Sequence, residues 1–298
     1  MNLIEMIERQ SARLTQAGVS FGHGTSNAFD EAVWLALWRL GLPLDDLGSV
    51  AERQLTADEG AAIETLIEQR IATRQPAAYL TREAWLQGVA FYVDERVIVP
   101  RSLIAEVIAD GTLDAWLPAP TRRVLDLCTG NASLAVLAAL AWPQVSVDAT
   151  DISSEALAVA RINVDKHALA ERITLHAGDG LAAVAGPQHR PYDAILCNPP
   201  YVNAASMAAL PAEYRAEPSL ALAGGDDGMD FIRTLIASAA QHLSDHGVLV
   251  LEIGQEWAHF DAAFPTLESV WLPTSAGEDQ VLLLTREALV RSPRTIQA

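Results

Sequence analysis

Asn198-Pro199-Pro200-Tyr201 follows the apolar run Ala194-Ile195-Leu196-Cys197 and collects the groups needed to hold one planar nitrogen. An Asn side-chain carbonyl and a Pro backbone carbonyl can both accept hydrogen bonds from an NH2 group. Two prolines stiffen the loop, and a Tyr ring can cover a flat face. The expected target is an amide or amino nitrogen. Taken alone, the tetrapeptide is equally a rigid turn, because Pro-Pro marks loops. The elements before and after it decide between the two.

Upstream, Arg123-Val124-Leu125-Asp126-Leu127-Cys128-Thr129-Gly130-Asn131-Ala132 is a short apolar strand entering a small-residue turn. A helical pattern of Leu134, Leu137, Ala138 and Ala141 follows. Such a turn brings backbone N–H groups and a helix N-terminus close to a ligand. Val145 to Thr150 is a second strand ending at Asp151, with a helix from about Ser153 to Lys166 behind it. An acid at that point of a βαβ unit can accept hydrogen bonds from ribose hydroxyls. Asp151 can also be read as a helix cap, a role that Ser153 or Ser154 fills equally well. A third strand, Ile173 to His176, enters Gly178-Asp179-Gly180, and a fourth, Ala194 to Cys197, enters the Asn198 loop. Asp126, Asp151, Asp179 and Asn198 therefore stand at four successive strand ends, where open parallel sheets bind ligands.

This order of parts resembles the class I methyltransferases that use S-adenosylmethionine, over about residues 121 to 285. The resemblance implies an α/β fold, a Rossmann-like seven-stranded sheet with an antiparallel edge strand. The family's first motif is an acid followed by alternating glycines, and the matching positions read Asp126, Cys128, Gly130 and Ala132. The resemblance implies that the loop from Cys128 through Thr129, Gly130, Asn131 and Ala132 lies against the methionine part of the cofactor. It likewise puts Asp151 at the ribose, Asp179 with Gly180 at the adenine, and Asn198 at both cofactor and substrate. The dinucleotide fingerprint G-x-G-x-x-G is absent, which argues against a nicotinamide dehydrogenase.

Phe91 to Ser102, Glu213-Tyr214-Arg215-Ala216-Glu217-Pro218 and Gly224-Gly225-Asp226-Asp227-Gly228 extend the likeness to nearly the whole chain. With these segments it resembles the HemK-type protein glutamine methyltransferases. Within them, the run from Tyr92 to Arg96, Pro100-Arg101-Ser102 and Cys128 are most similar to the branch acting on large-subunit ribosomal protein three. The sister branch acting on release factors has Gly at the position of Cys128, and a Thr-Glu pair where this chain has Ile104-Ala105-Glu106. What the family implies is transfer of a methyl group to a glutamine side-chain nitrogen. Asn198, Pro199, Pro200 and Tyr201 would form the catalytic clamp, and S-adenosylmethionine would be the cofactor.

Composition gives an independent argument about partners. With 38 acidic and 20 basic residues the net charge is −18, which repels a phosphate backbone and steers a basic protein toward the surface. A basic ribosomal protein is the expected partner, with no direct binding of nucleic acid. Acidity serving only solubility is the plainer reading. Two other readings compete: a nucleic-acid amino-methyltransferase, which can carry the same Asn198–Tyr201 motif, and a non-catalytic assembly factor that keeps the fold for docking.

The 298-residue length suits two domains. Residues 1–80 read as a helical, substrate-recognising part. Asn27 to Leu40 carries Ala32, Trp34, Leu35 and Trp38, and Thr56-Ala57-Asp58-Glu59 is a capping box opening a helix to about Thr73. Residues 81–120 read as a hairpin, Trp85 to Phe91 with Tyr92 to Val99, and a linker helix from Ser102 to Trp116 ended by Pro118-Ala119-Pro120. Residues 121–298 read as the catalytic part, with Phe231 to Leu243 helical and Val248 to Ile253 and Gln280 to Thr285 as strands. Cys128 and Cys197 read as small buried residues with no disulfide framework, and His242 with His246 as too sparse for a metal site. Glu5 and Glu8 interrupt the first helix, and the longest uncharged run, Asn131 to Val147, contains Pro143. No signal peptide, no membrane span and a cytoplasmic location are expected.

Overall fold

A computed structural model describes residues 1–117, 120–186 and 190–291. Five helices come first: α1 (Leu3–Gln16), α2 (Ala28–Leu40), α3 (Leu47–Val50), α4 (Ala57–Thr73) and α5 (Ala77–Thr81). Asn2 and Thr56 close capping boxes at the starts of α1 and α4, each satisfying two otherwise orphaned N–H groups. The apolar stripes of α1, α2 and α4 meet in one core containing Leu3, Ile7, Leu35, Leu37, Ile63 and Ile67.

A hairpin, β1 (Glu83–Leu86) with β2 (Val89–Tyr92), follows and turns at Gln87-Gly88. Both turn residues have positive φ, 49° and 74°, the geometry that matches strand twist. The hairpin thus lies earlier than the alternation of Trp85 to Val99 suggests. The linker helix α6 (Ile104–Ala109) is also shorter than expected, because Gly111 takes φ 76° and the chain tightens into a 3-10 turn over Thr112–Ala115. The break at Pro118-Ala119 lies outside the described residues.

The remainder runs β3 (Arg123–Leu127), α7 (Ser133–Ala141), β4 (Ser146–Asp151), α8 (Ser154–Lys166), β5 (Ile173–Ala177), β6 (Tyr192–Cys197), α9 (Ala204–Ala209), α10 (Ala212–Arg215) and α11 (Asp230–Ala239). It ends with β7 (Leu243–Glu252), α12 (Trp257–Ala263), β8 (Val270–Thr274), β9 (Gly277–Thr285) and α13 (Arg286–Arg291). The sheet order is β5-β4-β3-β6-β7-β9-β8. β3 to β7 are parallel, and β9 runs antiparallel to both neighbours. The reversed strand is therefore one in from the edge, and the edge is β8.

Apolar clusters cover both faces of the sheet, which is why β3, β6 and β7 read as near-continuous hydrophobic runs. β3 pairs with β4 on one side and β6 on the other, so strand order reverses between β3 and β6. A crevice opens there at the carboxyl ends, where ligands bind in such sheets. Among the described residues no helix is long and apolar enough to cross a membrane.

Candidate active site at the switch point

The loop leaving β3 turns through three left-handed residues at alternate positions, Cys128 (φ 60°), Gly130 (φ 56°) and Ala132 (φ 65°). Left-handed backbone costs an L-residue about 1–2 kcal/mol, yet the turn persists with Cys and Ala where the family alternates glycines. Two ties fix it. Thr129 N–H donates to the Thr150 carbonyl at 2.9 Å, and Gly130 N–H donates to Asp151 Oδ2 at 2.9 Å.

Asp126 does not reach the crevice. It is 1% exposed, accepts a short hydrogen bond from the Thr129 hydroxyl and a 3.0 Å bond from Ala135 N–H, and so ties the loop to the start of α7. Burial pushes its carboxyl up to about 7, against those two donors. Thr129, Asn131 and Ala132 are also buried. They shape the turn from beneath.

The sign of the Asp126 shift yields a stability prediction. A folded value above the unfolded one means that the native state holds the proton more tightly, so stability falls as pH rises from about 4 to about 7, by up to about 1.4 kcal/mol per pH unit. Asp126→Asn keeps the acceptor for Thr129 and Ala135 and removes the titration. The variant is expected to lose part of the decline in urea-unfolding free energy between pH 5 and pH 8. Curves of equal slope for the two proteins would show that Asp126 stays ionised throughout.

Asp151, at the end of β4, accepts from Ser153 N–H on one oxygen and Gly130 N–H on the other, both at 2.9 Å. Burial raises its carboxyl, against these backbone donors. Ser153 takes over the cap of α8, accepting from Ala156 N–H. Its carboxylate lines the crevice. Asp179 and Gly180 stand across from it at the end of β5, Asp179 being exposed.

The crevice is lined by Cys128, Gly130, Asp151, Asp179, Gly180, Asn198 and Pro200 from the expected set. Sequence reasoning missed Ile152, Leu220 and Phe231, which line it with apolar surface. Ile152 is 56% exposed and Leu220 59%, so both present apolar surface at the crevice. Arg96, Val97 and Ile98 form a further wall. Cys197 is buried as expected, but Cys128 is only partly so, because its loop faces the crevice.

Asn198 follows β6 directly, and its carboxamide makes no hydrogen bond with any group among the described residues. Pro199 is buried behind it. Tyr201 stands beside the lining, with its hydroxyl 3.4 Å from Glu252 Oε1 at the end of β7. Burial and the Glu252 charge raise the phenol above its ordinary range. Glu252 is 3% exposed and also accepts from the Ser102 hydroxyl at 2.6 Å and Leu103 N–H at 2.9 Å. Its carboxyl is raised by burial, against those donors. A Cβ on Gly254 would fall 2.4 Å from the Tyr201 ring, and one on Gly228 would fall 2.2 Å from the Tyr201 carbonyl. Gly254 thus packs against the ring itself, and Gly228 against the backbone that carries it. An acid interrupting the apolar run from Val248 to Ile253 was the available signal for Glu252.

A second anchor joins this region to the first helices. Glu217 Oε1 accepts from Val99 N–H at 2.8 Å, and Arg101 grips both oxygens at 2.6 and 2.7 Å. Burial works to raise the Glu217 carboxyl, but the charge of Arg101 overrides it and holds the group down at about 2. Arg70, 0% exposed, donates to Glu31 at 2.9 Å, to Glu213 at 3.3 Å and to the Ser20 carbonyl at 2.9 Å.

Comparisons with known proteins bear on the family and the fold. Residues 110–212 match the model described as the methyltransferase small domain, and residues 5–81 match the PrmC N-terminal domain. A ribosomal protein uL3 glutamine methyltransferase of Burkholderia pseudomallei is 54% identical over 94% of this chain and 93% of its own. One from Bordetella pertussis is 53% identical over 96% of each, and one from Neisseria gonorrhoeae is 46% identical over 94% and 92%. Among solved structures, the hMettl16 catalytic domain in complex with MAT2A 3′UTR hairpin 1 is similar with a TM-score of 0.53. It is 16% identical and covers 80% of this chain and 84% of its own. That likeness is one of fold.

Proposed function

Because the chain belongs to the family of ribosomal protein uL3 glutamine methyltransferases, we propose that it transfers the methyl group of S-adenosylmethionine to the side-chain amide nitrogen, N5, of a glutamine in uL3. The observation that carries this reading is a carboxamide with no hydrogen-bond partner among the described residues, that of Asn198, at a cleft that also presents the Asp151 carboxylate.

The donor set fits the cofactor. Asp151 presents a carboxylate that can accept from ribose hydroxyls, Asp179 and Gly180 border the next position, and Ile152, Leu220 and Phe231 offer apolar surface to a heteroaromatic ring. When bound, the cofactor supplies a methyl carbon made electrophilic by the attached sulfonium. The loop from Cys128 to Ala132 borders the same crevice and positions its methionine part.

An amide nitrogen is a poor nucleophile because its lone pair is delocalised into the carbonyl. Asn198 Oδ1 and the Pro199 carbonyl accept the two N–H groups and turn the lone pair toward the cleft. Tyr201, held by Glu252 and by the close approach of Gly254, packs on the amide plane. Orientation of this kind contributes roughly 7–11 kcal/mol in favourable cases. The nitrogen becomes acidic as its new bond to carbon forms, so the proton leaves to water without a strong base. No covalent enzyme intermediate is needed.

The helical residues 1–80 take the role of substrate recognition, and the net charge of −18 suits a basic protein in the cytoplasm rather than a nucleic acid. Incubation of the purified enzyme with methyl-labelled cofactor and separate uL3, RNA and DNA fractions tests the reading. Label in a glutamine of uL3 is expected. Label in RNA or DNA would replace this reading with the nucleic-acid alternative.

A further inference from the structure

A groove of ≈1040 Å³, separate from the cofactor cleft, is lined by residues of the first helices and the hairpin. Trp34 and Trp38 of α2 and Trp85 of β1 face into it. Its lining holds three carboxylates, Asp30, Asp45 and Glu83, and no lysine or arginine. Trp85 is 48% exposed, and the Trp34 indole N–H, in the groove wall, has no acceptor among the described residues. Tryptophan faces attract ammonium and guanidinium groups by about 0.5–2 kcal/mol, depending on how far they are desolvated, and the carboxylates add attraction of the same sign. A phosphodiester chain would meet only repulsion here.

The groove adjoins the reaction site. Val97 and Ile98 line the cofactor cleft, and the next two residues, Val99 and Pro100, line the groove. One strand of backbone separates them, and Glu217 and Arg101 clamp it through Val99. A bound polypeptide advances about 3.3 Å per extended residue, and the shared wall at residues 97–100 makes the groove a neighbour of the cleft.

We infer that this groove binds a lysine- or arginine-bearing segment of the protein substrate next to the methylated glutamine, an inference that rests on the function proposed above. The apolar stems of those residues pack on Trp34, Trp38 and Trp85, and their charged ends meet Asp30, Asp45 and Glu83.

The test is equilibrium binding of fluorescently labelled uL3 to the full-length enzyme and to a variant carrying Asp45→Lys, Glu83→Lys and Trp85→Ala. The dissociation constant is expected to rise at least tenfold in the variant, by a factor that shrinks as salt is raised. Cofactor affinity, thermal midpoint and turnover of a short glutamine peptide should stay within about twofold. The separate change Trp85→Phe should retain most of the binding. Equal uL3 affinity in enzyme and triple variant, or no uL3 binding by the unaltered enzyme, overturns the groove assignment. Failure of the function proposed above has a different signature, uL3 bound in the groove but never methylated.

Discussion

Asn198→Ala is expected to lower turnover at saturating cofactor by about a hundredfold or more while changing cofactor affinity only a few-fold. The Asn198 carboxamide stands at the cleft with no hydrogen bond to another group among the described residues. Removing it disturbs little else in the fold. It does remove one of two acceptors that orient the amide nitrogen, and a buried polar partner lost in the reacting complex costs roughly 2.7–4 kcal/mol at comparable sites. Single-turnover rates, with cofactor binding measured by calorimetry, separate the two quantities. Parallel losses in both would make Asn198 a cofactor ligand, and unchanged turnover would remove it from the mechanism.

Arg70→Ala is expected to destabilise the protein by about 3–5 kcal/mol, the usual cost of stripping one partner from a buried ion pair. The side chain is 0% exposed and serves Glu31, Glu213 and the Ser20 carbonyl together. Without it, Glu31 is left as a buried acid with no arginine or lysine beside it among the described residues, whereas Glu213 keeps Arg74 at 2.6 Å. Burial already raises the Glu31 carboxyl and Arg70 opposes that rise, so the variant should take up a proton there at a higher pH than the parent does. The difference between the two proteins should therefore narrow as pH falls from 7 toward 5. Urea unfolding at several pH values measures it. A gap below 1 kcal/mol at pH 7 would show that the network contributes little.

The fourfold pattern of strand ends was legible because buried parallel strands are nearly pure apolar runs, and their ends stand out as Asp126, Asp151, Asp179 and Asn198. The capping box at Thr56 was legible for a similar local reason, since Thr56 and Glu59 bond to each other's backbone. What failed was non-local or masked by proline. Strand β8 carries Pro273, which a sheet tolerates here only at the edge, where the pairing slips between Leu272 and Thr274. The hairpin turn at Gln87-Gly88 lacks the Asn-Gly signature. Nothing in Cys128 or Ala132 as residue types signals left-handed backbone; Asp126 and Asp151 impose it from below and beside. The motif position of Asp126 suggests a place at the ligand, whereas its burial and its bonds to Thr129 and Ala135 make it a brace for the loop. Arg70 and Glu213 lie 143 positions apart, and no local pattern links them.

The most direct test of the central claim is a crystal structure of the enzyme with demethylated cofactor and a uL3 peptide containing the target glutamine. The account predicts the glutamine amide nitrogen at about 2.7–3.2 Å from both Asn198 Oδ1 and the Pro199 carbonyl, facing the cofactor sulfur. A glutamine held elsewhere, with Asn198 bonded only to the cofactor, would contradict it.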